Sequence, residues 1–163
     1  MRTILCYGDS NTWGFDPATE RRFPREVRWP GRLQSALGEE WHVVEEGLNG
    51  RTTTLESPIA PGKNGLDYLV PCLDSHAPLD AVVIFLGTND LADRYGLTAT
   101  DVARAAGRLA TVVARSEAGA DGAAPLPILA CPPPLGETEW AEDWAGAPAK
   151  SEVLADRFAA VAD

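Results

Sequence analysis

The stretch "LDAVVIFLG", residues 79–87, decides the fold class that we predict for this chain. It is apolar without alternation, whereas a strand with one face in water alternates between apolar and polar side chains. A short apolar run ended by a glycine is typical of a strand buried on both faces. Such strands occur in parallel sheets that helices cover on both sides, so we predict an α/β fold.

Segments on both sides of this stretch alternate between strand-like and helix-like patterns. Short apolar runs predict three more strands, at residues 2–7, 41–47 and 126–131. Segments that have apolar residues on one helical face, or a proline in their first turn, predict helices at residues 29–38, 64–77, 98–119 and 149–163. Strands that alternate with helices imply right-handed crossovers and a helix-flanked parallel sheet.

Length and composition predict a single domain over residues 1–163 and exclude several classes of partner. The chain has 14 basic and 24 acidic residues, and its net charge of −10 opposes nucleic-acid phosphates and acidic membranes. No apolar run approaches the ~18 residues of a membrane span, and the N-terminal apolar segment is too short for a secretory signal. We therefore expect a cytoplasmic protein without nucleic-acid or membrane partners.

The three cysteines, Cys6, Cys72 and Cys131, lie far apart in the sequence. They form no Cys-x-x-Cys pair, and no Cys/His group has the spacing of zinc ligands. We interpret them as buried free thiols in a reducing cytoplasm, and we expect no metal site.

Two irregular stretches, residues 11–29 and 132–149, each follow the carboxyl end of a predicted strand. Ligands bind at that end of the strands in open α/β sheets. One interpretation is an apolar pocket walled by aromatic side chains; the other is two loops held down by their own aromatics. The aromatic residues concerned are Trp13, Phe15, Phe23, Trp29, Trp140 and Trp144.

Three short blocks, "GDSNTWG" (8–14), "GLNGRTT" (47–53) and "GTND" (87–90), follow the first three predicted strands. In a parallel sheet all three blocks meet at the carboxyl edge. Each block alone is a weak signal, because short Gly/Asp/Ser/Asn turns are common. Their order and placement together predict one site.

The donors in these blocks suit acyl transfer. Ser10 supplies a hydroxyl and a backbone N–H, Gly50 supplies an N–H that a ligand can approach closely, and Asn89 supplies a side-chain amide. Donors that converge on one point stabilise the oxyanion of a tetrahedral intermediate, and loss of one typically lowers the rate ~10² to 10³-fold.

The chain resembles the SGNH (GDSL-type) hydrolase family, and it looks closest to the arylesterase and acyltransferase branch. The resemblance runs from the first predicted strand to the fourth and is specific in combination. It is carried by "ILCYGDSNTWG", "RWPGRL", "VVEEGLNGRTT", "PLDAVVIFLGTND" and "CPPPL".

The resemblance implies a flavodoxin-like three-layer fold and hydrolysis of small carboxylic esters without metal or cofactor. It implies Ser10 as the nucleophile, with the Ser10 N–H, the Gly50 N–H and the Asn89 side chain as oxyanion donors. The substrate pocket would be lined by Asp9, Trp13 and Asn49. In such families, however, the residue at the position of Asp9 mostly makes hydrogen bonds that support the structure.

The family's last motif, Asp-x-x-His, supplies the base that takes the serine proton. The sequence has two histidines, His42 and His76, and neither has an aspartate three residues before it. His42 lies at the amino end of the second predicted strand, and His76 ends the helix that leads into the amino end of the third. The predicted site lies at the opposite, carboxyl ends of the strands. We therefore expect a C-terminally incomplete domain without the fifth strand and last helix, with little or no esterase turnover.

Two alternatives remain open alongside the ester hydrolase. One is a non-catalytic domain that binds a carboxylate or ester ligand in the same pocket. The other is a half-site that another chain completes through the apolar edge strand at residues 126–131, because such an edge invites association. The expected partner is a small-molecule ester, and a homo-oligomer is also left open.

Overall fold

A computed structural model describes residues 1–136 and 142–162, and a parallel β-sheet lies at its centre. In these ranges the strands are β1 (Arg2–Gly8), β2 (Phe15–Asp16), β3 (Arg21–Arg22), β4 (Trp41–Gly47), β5 (Ala81–Phe85) and β6 (Leu126–Leu129). The main sheet has the order β4-β1-β5-β6 with every pair parallel, and β2 pairs with β3 as a short antiparallel hairpin. The predicted α/β fold with a parallel sheet is confirmed, and the order matches the first four strands of the flavodoxin-like arrangement.

The α-helices pack around this sheet, and three short 3₁₀ turns lie at 89–91, 93–95 and 120–122. The helices are α1 (Ser10–Trp13), α2 (Trp29–Leu37), α3 (Gly65–His76), α4 (Ala99–Ala114), α5 (Ala147–Glu152) and α6 (Leu154–Ala162). Thr98 caps α4 in a reciprocal pair with Asp101. Within the described ranges, no helix is long and apolar enough to cross a membrane.

Both faces of the sheet are buried, which explains the strands without alternation. Ile4 and Val83 belong to the cluster that packs against α2, whereas Leu5 and Ile84 belong to the cluster packed against α3 and α4. Because successive side chains of a strand point to opposite faces of the sheet, the residues on both faces must be apolar. A further cluster joins α4 to α5 and α6 around Phe158.

Several element boundaries differ from the sequence prediction. The segment 11–29 is not irregular throughout, because α1, the β2–β3 hairpin and the first residue of α2 lie in it. The predicted final helix begins earlier, at Ala147, and breaks at Val153 into α5 and α6. The strand predicted at 126–131 ends at Leu129, just before the run Pro132–Pro134, whose residues carry no backbone donor for a ladder.

The three cysteine thiols are unpaired, with Cys6 and Cys72 buried and Cys131 half-buried. Burial raises the pKa of both Cys6 and Cys72 to about 12. These two thiols are therefore protonated near neutral pH, and neither resembles an activated nucleophile.

Candidate active site

The first block, at the end of β1, forms the one-turn helix α1 with Ser10 as its first residue. The Asp9 side chain accepts a hydrogen bond of 2.9 Å from the Asn11 N–H and so caps this turn. Gly14 ends it in a left-handed conformation at φ 85°. The sequence Asp-Ser-Asn-Thr-Trp-Gly thus places a partly exposed serine directly beyond the strand.

The second block packs against the first because β4 ends in a glycine. A Cβ on Gly47 would lie 2.1 Å from the Trp13 nitrogen, so no larger residue fits beside α1. Gly50 adopts φ 77°, a left-handed conformation that glycine reaches without strain. The buried Arg51 guanidinium then ties this loop to the sheet, since its Nη1 donates 3.0 Å to the Gly8 carbonyl and 2.5 Å to the Glu46 carbonyl.

The third block is held against the second by two side chains. Asn89 Nδ2 donates a 3.0 Å hydrogen bond to the Arg51 carbonyl. The fully buried Asp90 carboxylate accepts from the Thr53 N–H at 3.0 and 3.1 Å and also from the Thr53 hydroxyl. Because an amide nitrogen carries two hydrogens, Asn89 keeps one donor for a ligand.

The structure brings two of the predicted oxyanion donors, Gly50 and Asn89, into the wall of one pocket. Ser10 does not line this pocket, and the first block contacts the third through Asn11 Nδ2, which donates 3.3 Å to the Thr88 hydroxyl. The pocket has a volume of about 170 Å³. Its remaining wall is formed by Ser57, Ile59, Ala60, Lys63, Ala92, Arg94, Tyr95 and Trp144.

The residues predicted to line the substrate pocket fall outside this wall. Asp9 is 0% exposed, so its side chain offers no surface to a substrate and instead makes the hydrogen bond that caps α1. Trp13 packs on Phe15, with ring centroids 6.4 Å apart, in the β2 hairpin region. Asn49 is half-buried, and its Oδ1 has no hydrogen-bond donor among the described residues.

The aromatic residues of the two predicted irregular stretches divide between both interpretations. Trp144 lines the pocket. Trp29 instead packs edge-on against Phe85 at 5.9 Å beneath the sheet, so it belongs to the core. Trp140 lies outside the described residues.

Sequence reasoning missed most of the pocket wall, above all Lys63. The Lys63 Cε lies 3.8 Å from the position of a Cβ built on Gly50, so this side chain passes over the predicted donor loop. The Thr52 N–H donates 2.9 Å to the Lys63 carbonyl and fixes its backbone there. Residues 54–63 have no helix or strand periodicity, and thus the sequence contains no signal for this approach.

Within the described residues, neither histidine makes a hydrogen bond to Ser10. His42 lies at the amino half of β4, opposite Thr3 in the register with β1, and is exposed. His76 is the last residue of α3, and its Nε2 lies 2.9 Å from Glu46 Oε1. The position of His42 agrees with the expectation that both lie away from the carboxyl edge, whereas the His76 imidazole contacts Glu46, the last but one residue of β4.

The buried Asp9 carboxyl predicts a pH dependence of stability. Burial raises the pKa of Asp9 to about 6, and the hydrogen bond from the Asn11 N–H offsets only part of that effect. The unfolded carboxyl titrates near pH 4, so between about pH 4 and 6 the folded chain binds more protons and loses about 3 kcal/mol as pH rises.

We expect Asp9→Asn to flatten this loss in urea unfolding curves measured at several pH values. Asp74→Asn, at an exposed aspartate of α3, should keep the wild-type slope. Equal slopes for wild type and Asp9→Asn would contradict the assignment.

Comparison with known proteins agrees with this geometry. A family model described as the GDSL-like Lipase/Acylhydrolase family matches residues 6–163. A search of the curated proteins found no match.

Solved structures show the same relationship. The native aryl esterase of M. smegmatis is 39% identical, with a TM-score of 0.95 over 99% of this chain and 80% of its own. A carbohydrate acetylesterase from Sinorhizobium meliloti is 37% identical, with a TM-score of 0.95 over 100% of this chain and 80% of its own. A lipase/acylhydrolase from Enterococcus faecalis is 26% identical, with a TM-score of 0.63 over 99% of this chain and 73% of its own.

The family model covers nearly the whole chain, and the four-stranded parallel sheet with its helices matches the SGNH hydrolase fold of these structures. The chain therefore belongs to the GDSL-like lipase/acylhydrolase family of SGNH hydrolases, whose members are carboxylic ester hydrolases.

Proposed function

We propose that the carboxyl edge of the sheet carries a serine esterase site in which Ser10 forms an acyl-enzyme. The observation that supports this most directly is the clamp between the second and third blocks. The Asn89 amide reaches the Arg51 carbonyl, directly after Gly50, and both Gly50 and Asn89 line one pocket. Two donors fixed before substrate arrives need no reorganisation when an oxyanion forms.

In the proposed reaction the Ser10 oxygen attacks the ester carbonyl carbon, and the carbonyl oxygen becomes the oxyanion. The Ser10 N–H, the Gly50 N–H and the free hydrogen of Asn89 Nδ2 donate to it. Collapse of this intermediate breaks the bond to the alcohol, which leaves with a proton. Water then hydrolyses the acyl-enzyme, or a second alcohol takes the acyl group. No cofactor enters these steps.

The proton that Ser10 releases needs an acceptor, and the 163-residue sequence contains no Asp-x-x-His motif to provide one. We propose that this chain on its own therefore turns over slowly, since loss of triad members lowers the rate on the order of 10⁶-fold in subtilisin. If deacylation is slow, an acyl group on Ser10 persists long enough to be detected by mass spectrometry.

We propose short-chain esters of aryl or carbohydrate alcohols as substrates. A volume of about 170 Å³ suits a small acyl group or part of one ring. Tyr95 and Trp144 in the wall offer apolar faces to an aryl or sugar ring, and relatives of this chain are named for both substrate classes. Lys63 adds a positive charge beside the donor loop.

Asn89→Ala tests the proposed oxyanion site. We expect it to slow acetylation of the chain by p-nitrophenyl acetate ~10² to 10³-fold, because one of three oxyanion donors is lost. The measurement is the time course of the acetyl adduct by intact-protein mass spectrometry.

Ser57→Ala is the matched control, since Ser57 lines the same pocket without donating in the proposed reaction. It should change the rate only a few-fold, on the scale of a lost neutral hydrogen bond. Equal rates for wild type and Asn89→Ala would contradict the assignment of Asn89.

The alternative proposal is a non-catalytic ligand-binding domain that uses the same donors. Saturable binding of an ester or carboxylate that never yields an acyl adduct would favour it. A further alternative is a half-site that another chain completes by pairing with β6. The support for it is that β6 lies at the sheet edge with its Leu126 62% exposed. Adduct formation that requires an added C-terminal peptide would favour that reading.

We also propose a cytoplasmic location. Three unpaired thiols suit a reducing compartment, where disulfides do not persist. Fractionation of the source cells tests this location directly.

A further inference from the structure

We propose that Glu46, Cys72 and His76 form a binding site for a zinc-type divalent cation, separate from the proposed ester site. The ligand atoms of these three residues all lie within 4.8 Å of one another. Neither the family match nor the proposed esterase reaction uses them.

Two elements bring the three side chains together. Cys72 and His76 are four residues apart on α3, so they lie on the same face of that helix. Glu46 comes from β4, the edge strand beside it. The contact is already formed in part, because His76 Nε2 lies 2.9 Å from Glu46 Oε1.

The distances lie close to those of a metal site. Bond lengths of about 2.0–2.3 Å at a tetrahedral ion separate neighbouring ligand atoms by about 3.3–3.8 Å. The His76–Glu46 pair must open from 2.9 Å by about 0.5 Å, and the thiol must approach by about 1.3 Å at most. His76 and Glu46 have side chains 30% and 21% exposed, so both have room to adjust and to admit the ion.

The donor set selects the class of ion. A thiolate, an imidazole and a carboxylate suit Zn²⁺ or Co²⁺, whereas Ca²⁺ and Mg²⁺ prefer oxygen ligands throughout. Three protein ligands leave the fourth position to water.

Charge is balanced in this site. On binding, the Cys72 thiol releases its proton to solvent, and the thiolate and carboxylate together neutralise the divalent ion. The Arg51 guanidinium, which donates to the backbone carbonyl of Glu46, would therefore have a neutral complex near it.

An ion at this position would join the last turn of α3 to the sheet edge. The expected effect is stabilisation of the fold, since a ligand that binds only the folded chain raises its stability by mass action. The sequence shows only the Cys72–His76 pair, four residues apart, because Glu46 lies far from it along the chain.

The test is titration of the metal-free, full 163-residue chain with Co²⁺. We expect one ion per chain and a near-ultraviolet band from sulfur-to-cobalt charge transfer. Zn²⁺ should displace Co²⁺. At a free Zn²⁺ concentration 100 times its Kd, Tm should lie about 5–10 °C above that of the metal-free chain.

Substitutions assign the ligands. Cys72→Ser should remove the charge-transfer band, and His76→Gln should weaken Co²⁺ binding at least ~100-fold, more than loss of an outer-shell partner does. The matched controls are His42→Gln, at the other histidine, and Cys131→Ser, at the half-buried thiol. Both controls should bind as the wild type does.

The site is overturned by any of three results: no thiolate band at millimolar Co²⁺, unchanged binding in His76→Gln, or loss of binding in Cys131→Ser. His76 is partly exposed at a helix end, so His76→Gln remains decisive even where Cys72→Ser fails to fold.

Discussion

Ser10→Ala removes the acetyl adduct that p-nitrophenyl acetate leaves on this chain. We expect the largest effect on chemistry here, because Ser10 supplies the attacking oxygen and no other group in the three blocks replaces it. Its Cα, backbone N–H and place at the start of α1 are unchanged in the variant. The cap from Asp9 to Asn11 also remains, so the variant should fold as the wild type does.

The measurement is peptide mapping by mass spectrometry after timed exposure to the ester. Wild type should carry the acetyl group on the peptide that contains Ser10, and Ser10→Ala should carry none. Ser35→Ala, at an exposed serine of α2, is the matched control and should acetylate like the wild type. An unchanged adduct in Ser10→Ala would remove Ser10 from the mechanism.

The same experiment measures turnover. We expect release of nitrophenolate to slow after about one equivalent per chain, because nitrophenolate is a good leaving group and acylation by this activated ester is therefore faster than hydrolysis of the acyl-enzyme. Sustained turnover that Ser10→Ala abolishes would contradict slow catalysis by these 163 residues, while it would support Ser10 as the nucleophile.

Asp90→Ala should give the largest loss of stability among substitutions near the site, about 3 kcal/mol. The buried carboxylate accepts hydrogen bonds from both the N–H and the hydroxyl of Thr53, and its removal leaves two buried donors without partners. It should also slow acetylation of Ser10, because the Asp90–Thr53 hydrogen bonds that help to hold the third block, and with it Asn89, against the second block are lost.

Urea unfolding measures this loss, and Asp74→Ala at an exposed position of α3 is the matched control. Thr53→Val with Asp90→Ala completes a double-mutant cycle, in which we expect the combined loss to fall below the sum of the two. An Asp90→Ala variant no less stable than Asp74→Ala would show that the Asp90–Thr53 hydrogen bonds contribute nothing to stability.

The local elements of this fold follow from local patterns in the sequence. The apolar run at 79–87 predicts a strand buried on both faces, and β5 lies in it between β1 and β6. Asp9 and Gly14 bracket α1 as a cap and a left-handed stop, although residues 11–14 belong to a stretch predicted to be irregular. The placement of the three blocks at the carboxyl edge also follows, because parallel strands end on the same side.

What the tertiary structure alone decided is which side chains meet. Lys63 reaches Gly50 through a segment without periodicity, and Trp29 lies under the sheet rather than in a pocket. Glu46 meets His76 across the gap between β4 and α3. Patterns of hydrophobicity and turn residues report neighbours a few positions apart, whereas these contacts depend on how separate elements pack, and packing is settled only when the whole core is assembled.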